Sequence, residues 1–222
     1  MLLCLGMVLA PLAALASSED ELAEDAATIV EELAGIPESG IPVRLLEDAY
    51  AIAVIPDVIK VGFLLGGRHG KGLLVVRTPE REWSNPVFIT LTGGSFGLQI
   101  GAQSTDVILV FKNPRSIDNI VNGKVTLGAD AAIAAGPVGR RGEAATDSQL
   151  QAQIYSYSRS KGLFAGVSLE GAALQIDGDA NADFYGQPGI SSTTILRELN
   201  LRRPATAKNF IQTLNRYTPK PS

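Results

Sequence analysis

Cysteine is almost absent from these 222 residues: Cys4 is the only one, and His69 is the only histidine. Cys4 lies in an apolar leader expected to be removed, so the mature chain has no thiol. That excludes disulfides, thiol chemistry and cysteine-bound zinc. One imidazole leaves transition-metal sites almost without ligands. Bases are missing from the start of the chain. No Lys or Arg precedes Leu33, whereas seven acids do: Glu19, Asp20, Glu21, Glu24, Asp25, Glu31 and Glu32. From Leu33 onward 19 bases meet 16 acids, a balance of +3. That is enough to favour an anionic surface at short range and far too little for a nucleic-acid binder. No solenoid-type repeat is visible, and at 45% hydrophobic content the length suits one well-buried core.

Leu2 to Ala16 carries no charge and closes with Ala14-Leu15-Ala16 before Ser17, which reads as a signal peptide of residues 1–16. About 15 apolar residues are too few for a comfortable membrane span. A lipoprotein site would need its cysteine at the end of the apolar run, and Cys4 stands near its beginning. The expectation is therefore a periplasmic or secreted product without a lipid anchor, peripheral to a membrane.

Ser18-x-x-Glu21 forms a capping box, after which Leu22, Ala26, Ile29, Val30 and Leu33 recur at helical spacing until Gly35. Residues 17–42 are thus an acidic amphipathic helix and a linker. A short helix is expected over Val43 to Tyr50. Strands are expected at Ala51 to Ile55, Gly72 to Arg77, Val87 to Thr92, Phe96 to Ser104, Asp106 to Phe111, Val125 to Ala135, Gln153 to Ser158, Leu163 to Glu170 and Ala172 to Asp177. Apolar parity changes at Gly171, which predicts a bulge or turn there. The 23 glycines, mostly in or between these strands, suit strongly bent strands. Thr206 to Tyr217 is a helix with Phe210, Ile211 and Leu214 on one face.

Three catalytic or ligand motifs fail on inspection. Gly93-Gly94-Ser95-Phe96-Gly97 matches the nucleophile elbow of serine hydrolases, but His69 precedes Ser95 and no Asp lies between them, so neither common triad order is available. Gly66 to Gly72 suggests a phosphate loop, yet the spacing is wrong and Gly72 stands where Ser or Thr must follow Lys71. What remains is a turn exposing Arg68, His69 and Lys71. Asp177 to Asp183 alternates oxygen ligands like a calcium loop, then departs from it at Ala182 and Pro188. An acidic turn is the better reading. The chain is expected to be no enzyme and to carry no cofactor.

The run from Tyr155-Ser156-Tyr157-Ser158-Arg159 through Lys161-Gly162-Leu163-Phe164 to Glu170-Gly171 resembles the SYLF-domain lipid-binding family. Further matches are Gly62-Phe63, Gly66 to Gly72, Trp83-Ser84-Asn85-Pro86, Gly97 to Ala102, Thr126-Leu127-Gly128, Gly136-Pro137-Val138-Gly139-Arg140, and Asn181 with Phe184-Tyr185-Gly186. They cover Ile41 to Gly186 in family order. The resemblance implies an α+β fold dominated by a curved, barrel-like antiparallel sheet with flanking N- and C-terminal helices, in agreement with the strand reading. It implies lipid binding by residues 43–187, with 188–222 as a C-terminal helical segment. Members in yeast and animals bind phosphoinositides and act with actin-regulating partners, and this chain is read as a secreted bacterial member. The acidic first helix departs from the basic segment expected of membrane-engaging members, which shifts contact to the basic turns. Arg68, His69, Lys71, Arg140, Arg159 and Lys161, with Phe164, are the candidate lipid-binding residues. Two functions follow: a lipid-binding protein of the bacterial envelope, contacting an anionic membrane surface, or a structural or protein-interaction module of the envelope whose glycine-rich sheet docks a partner strand.

Overall fold

In the computed structural model, which describes residues 18–34, 40–138, 151–160, 163–198 and 200–218, the acidic N-terminal segment forms helix α1 (Ser18–Ala34). Its first-turn acids Glu19, Asp20 and Glu21 oppose the positive end of the helix dipole. Ala23, Ala26, Ala27, Ile29 and Val30 form its buried face. Small side chains let the helix lie close against the C-terminal helix α6 (Ala205–Tyr217), which buries Ala207, Phe210, Ile211 and Leu214, and against the first strand. Between them the chain runs α2 (Val43–Glu47), β1 (Ala51–Val76), β2 (Val87–Phe111), α3 (Arg115–Val121), β3 (Lys124–Thr126), β4 (Ile133–Ala135), β5 (Ile154–Ser160), β6 (Leu163–Gly166), β7 (Ala173–Ile176), α4 (Gly178–Tyr185) and α5 (Ser192–Arg197).

The fold is α+β, with a curved, half-barrel antiparallel sheet flanked by the N- and C-terminal helices. Strand order is β3-β7-β2-β5-β4, with β1 on the other side of β2 and β6 on β5; only β4–β5 is parallel. β1 and β2 make one long ribbon, in register from Ala51 opposite Phe111 to Leu74 opposite Val87. A register shift after Ile55 puts Asp57 at φ 46°, a left-handed conformation held by its own N–H donating to Asp106 Oδ1 at 3.1 Å and by Ser104 Oγ donating to Asp57 Oδ1 at 2.7 Å. The ribbon then folds back on itself. A Cβ on Gly72 would lie 2.4 Å from Val54 O, so only glycine lets the two halves of β1 approach this closely.

Several expectations change here. The turn expected at Gly66–Gly72 is continuous strand, because β2 supplies backbone partners throughout and glycine supplies the bend. The expected strand Val125–Ala135 breaks into β3 and β4 around a turn where Gly128 has φ +88° and Asp130 accepts from Thr126 N–H at 2.7 Å. The acidic turn at Asp177 is instead the start of α4, with the Asp177 side chain capping Ala180 N–H at 3.1 Å. Ser95 lies within β2, opposite Gly66, and not at the strand-to-helix corner that a nucleophile elbow requires. Gly171 turns as expected, at φ +78°. The core centres on Trp83, Phe88, Phe111, Tyr157 and Phe210. Each such side chain contributes roughly 1.5–3 kcal/mol on burial. Among the described residues no helix is long and apolar enough to cross a membrane, which says nothing of strands.

Candidate functional site

The signature motifs turn inward. Trp83-Ser84-Asn85-Pro86 follows the β1–β2 turn and clamps three C-terminal elements. Trp83 Nε1–H donates to Thr218 Oγ1 at 2.9 Å, and the Thr218 hydroxyl donates to Leu214 O at 2.6 Å, fixing the end of α6. Asn85 Nδ2 donates to Glu198 O at 2.6 Å, just beyond α5, while Arg203 Nε donates to Asn85 Oδ1. Tyr185 Oη donates to Pro86 O at 2.7 Å, and burial pushes that phenol's pKa up. From α4, Asn181 completes the edge of β2, accepting from Phe88 N–H at 2.9 Å and donating to Asp177 O at 2.8 Å. Phe184 packs edge-on against Phe88, ring centres 4.9 Å apart.

The most distinctive run behaves likewise. Tyr155 and Tyr157 of β5 are buried. Tyr157 lies so close under Gly136 that a Cβ there would fall 2.0 Å from its Cζ, and its hydroxyl donates to Pro137 O at 3.3 Å. Ser156 Oγ donates to Val167 O at 2.6 Å. These letters specify packing and backbone satisfaction.

The candidate cations are distributed over separate contacts. Arg68 donates from Nη1 to Ser168 O at 3.1 Å, tying β1 to the loop before β7, and burial lowers its pKa. Lys71 pairs with Asp177 at 3.0 Å. The hydrogen bond to Asp177 raises the ammonium's pKa, with burial opposing. Burial alone would raise Asp177, but the Ala180 N–H and Lys71 outweigh it and hold the carboxylate below its usual range. Arg159 sits against Glu32 of α1, and its Nε is 2.9 Å from Asp106 Oδ2, an approach that forms an ion pair without hydrogen-bond geometry. His69 is exposed in β1. Phe164 is placed by its backbone, opposite Arg159. Arg140 and Lys161, like the signal-peptide segment, lie outside the described residues. Lys71 and Arg159 are therefore engaged with carboxylates of the same chain and Arg68 with a backbone carbonyl; the structure brings none of the three together as one anion cradle.

An open groove lies at the meeting of the ribbon's two ends, where sequence reasoning placed nothing. A hollow of about 420 Å³ has Val76, Ile117, Val121 and Leu196 as its apolar floor, with Asp118 and Arg197 at its rim. A second, of about 390 Å³, is flanked by Glu47, Asp48 and Arg81. Both share Tyr50, Arg77, Thr78 and Pro79. Arg77 is fixed: its guanidinium stacks 3.8 Å over Trp83, Nη1 donates to Arg81 O at 3.1 Å and Nη2 to Thr218 O at 2.9 Å. Burial, helped by Arg81, lowers its pKa to about 10. The Tyr50 phenol is raised by burial and by Asp118, with Arg197 opposing. The available signal was Arg77-Thr78-Pro79, a cation and a turn closing the apolar run Leu73–Val76.

The chain is similar to the SH3 domain-containing YSC84-like protein 1 of Xenopus laevis, 35% identical over 201 residues, which are 88% of this chain and 59% of that protein. The Homo sapiens protein of the same name is 35% identical over 204 residues, 89% of this chain and 59% of its own length. Protein YSC84 of Saccharomyces cerevisiae is 38% identical over 149 residues, 66% of this chain and 32% of its own. The chain thus spans little more than half of the vertebrate relatives. These eukaryotic proteins overturn the reading as a secreted bacterial member. The signal peptide, the periplasmic or secreted location, and the lipid-binding role in a bacterial envelope fall with it, since the family is described as an actin regulator and a periplasm holds no actin. The family description names Las17 as what its members bind, not a protein of a bacterial envelope. No catalytic activity attaches to the family description or to the relatives' names. With a family model described as "Las17-binding protein actin regulator" matching residues 92–217, more than half of the sequence, the chain belongs to the Ysc84, or SYLF-domain, family.

Proposed function

We propose that the chain is a protein-interaction module of an actin-regulating assembly, receiving a short extended segment of its protein partner in the groove at Pro79. The observation that carries this reading is the pair of contiguous hollows, about 420 and 390 Å³, joined across Arg77, Thr78 and Pro79. Each falls in the size range of ligand sites, and together they make an elongated channel suited to a peptide in extended conformation. The apolar floor would bury an aliphatic or aromatic anchor, while Asp118, Arg197, Glu47 and Asp48 at the rim would fix its register. Preorganisation favours binding: Arg77 is held on three sides, so little order has to be gained. The family's description as a Las17-binding actin regulator supports a protein as the occupant.

Fluorescence-anisotropy titration of peptides tiling Las17 tests it. A peptide should bind with micromolar affinity, and Thr193→Trp, which fills the first hollow from its half-buried wall, should weaken it at least about tenfold without lowering the melting temperature. Binding of Las17 peptides that is indifferent to Thr193→Trp and to Pro79→Asp would place the partner elsewhere.

A further inference from the structure

β2 carries a palindrome at the place where it lacks a complete partner. Ser95-Phe96-Gly97-Leu98-Gln99-Ile100-Gly101-Ala102-Gln103 reads outward from Gln99 as Leu and Ile, Gly and Gly, Phe and Ala, Ser and Gln. In the ribbon Gly97 pairs with Leu64 and Gly101 with Gly62, so Leu98, Gln99 and Ile100 have the single residue Phe63 across from them. The other edge of β2 is occupied by β7 over Ile89–Thr92 and by β5 over Asp106–Phe111. Among the described residues no strand takes up that edge between these two pairings.

The strand beside it on β1 presents exposed apolar side chains. The folded-back halves of β1 touch at its base, where a Cβ on Gly70 would meet Val58 Cγ2 at 2.9 Å. Beyond that contact Ile59 and Val61 are 50% and 48% exposed, two of the three large hydrophobic residues exposed among those described. Neither Val61–Gly67 nor Gly93–Thr105 contains a charged residue. Solitary edge strands are normally guarded by charges, prolines or coverage, so an uncharged edge of this length calls for a strand to cover it.

We propose that Ser95–Gln103 pairs antiparallel with the same segment of a second copy of the chain, about a two-fold axis at Gln99, so that the protein is a homodimer joined through its ribbons. An antiparallel pair across a two-fold sets position 99+k against 99−k. Leu98 then opposes Ile100 of the second copy, Gly97 opposes Gly101, Phe96 opposes Ala102 and Ser95 opposes Gln103. Apolar residues meet apolar, polar meet polar, and the backbone groups on the edge of β2 turned away from β1 gain a partner strand. Displacing one copy by a single residue would set Leu98 against Gln99 and Gly97 against Ile100, losing the match at the centre. An unrelated strand has no reason to match this symmetry; a second copy matches it by construction. The inference is independent of the groove, which lies where the two ends of the ribbon meet, while Ser95–Gln103 lies at its middle.

Because Gln99 faces its own copy, charge variants give a distinctive signature. In sedimentation equilibrium the wild type should be dimeric, whereas Gln99→Lys and Gln99→Glu should each raise the dissociation constant at least about tenfold, like charges now lying opposite. A one-to-one mixture of the two variants should restore the dimer. In a Cys4→Ser background, oxidised Gln99→Cys should link two chains, while Gln103→Cys should not, since the two copies of that residue lie ~26 Å apart along the strands. The cysteine pair reads the register even if a charge at position 99 impairs folding. A monomer at all concentrations up to about 100 µM, where an interface of modest size associates, overturns the proposal. So does a dimer that survives both charge variants, or one that cross-links equally well through position 103.

Discussion

Replacing Trp83 by Phe tests whether the clamp between β1 and β2 holds the C-terminal helix in place. The indole is 1% exposed, donates to Thr218 Oγ1 at 2.9 Å and carries the Arg77 guanidinium 3.8 Å above its ring. Phe leaves a void of roughly 35–40 Å³, which at about 24 cal/mol per Å³ costs about 1 kcal/mol. The lost hydrogen bond adds about 1 kcal/mol. Weaker stacking of Arg77 adds about 0.5 kcal/mol. The sum is about 2–3 kcal/mol, or a melting temperature lower by about 5–10 °C for a chain of this size. Urea titration should show the midpoint falling with an unchanged slope. Thr218→Val removes the same hydroxyl from the other side, so a double-mutant cycle should return a coupling of about 1 kcal/mol. Amide exchange should quicken in α6 ahead of the β1–β2 core. A cost under about 1 kcal/mol, or strict additivity with Thr218→Val, would refute the clamp.

Gly136→Ala should destabilise by at least about 3 kcal/mol, because its Cβ would fall 2.0 Å from Tyr157 Cζ and that ring is fully buried; a melt within a few degrees of wild type would contradict this. Asp177→Asn keeps a capping side chain but removes the ion pair with Lys71, which is half exposed, so the loss at neutral pH should stay below about 1 kcal/mol. The depressed carboxylate of Asp177 contributes stability that is present above its ordinary value of 3.8 and is lost as pH falls through its lower folded value. The gap between wild type and Asp177→Asn in urea midpoints should therefore narrow from about pH 5 to about pH 2, and a constant gap would sink the assignment.

Periodicity in the sequence was sufficient wherever a residue's environment is set by neighbours two to four positions away. The dry face of α1, the apolar stripe of α6 with Phe210, Ile211 and Leu214 and the turn at Gly171 all follow from local spacing, and so does the α+β class, whereas the alternation read in β5 fails because Ile154, Tyr155, Ser156 and Tyr157 are all buried. The helices α3 and α5 went unread, being only 7 and 6 residues long, too short for a helical period to stand out. Gly66–Gly72 read as a turn because glycine is equally a turn residue and the only residue that tolerates Val54 O at the position of its missing Cβ. The choice between those roles depends on a backbone eighteen residues away. The cations show the same division: composition supplied Arg68, Lys71 and Arg159, but only the folded chain gave them Ser168 O, Asp177, Asp106 and Glu32. The groove brings Tyr50 and Arg77 together with Ile117 and Leu196, four residues from segments that share no local pattern. Local spacing therefore determined which segments are helix or strand and which faces are apolar, since those depend on intrachain distances of a few residues. Tertiary structure alone decided which polar groups are consumed as internal partners and which surface stays open, since both are set by contacts between segments far apart in the chain.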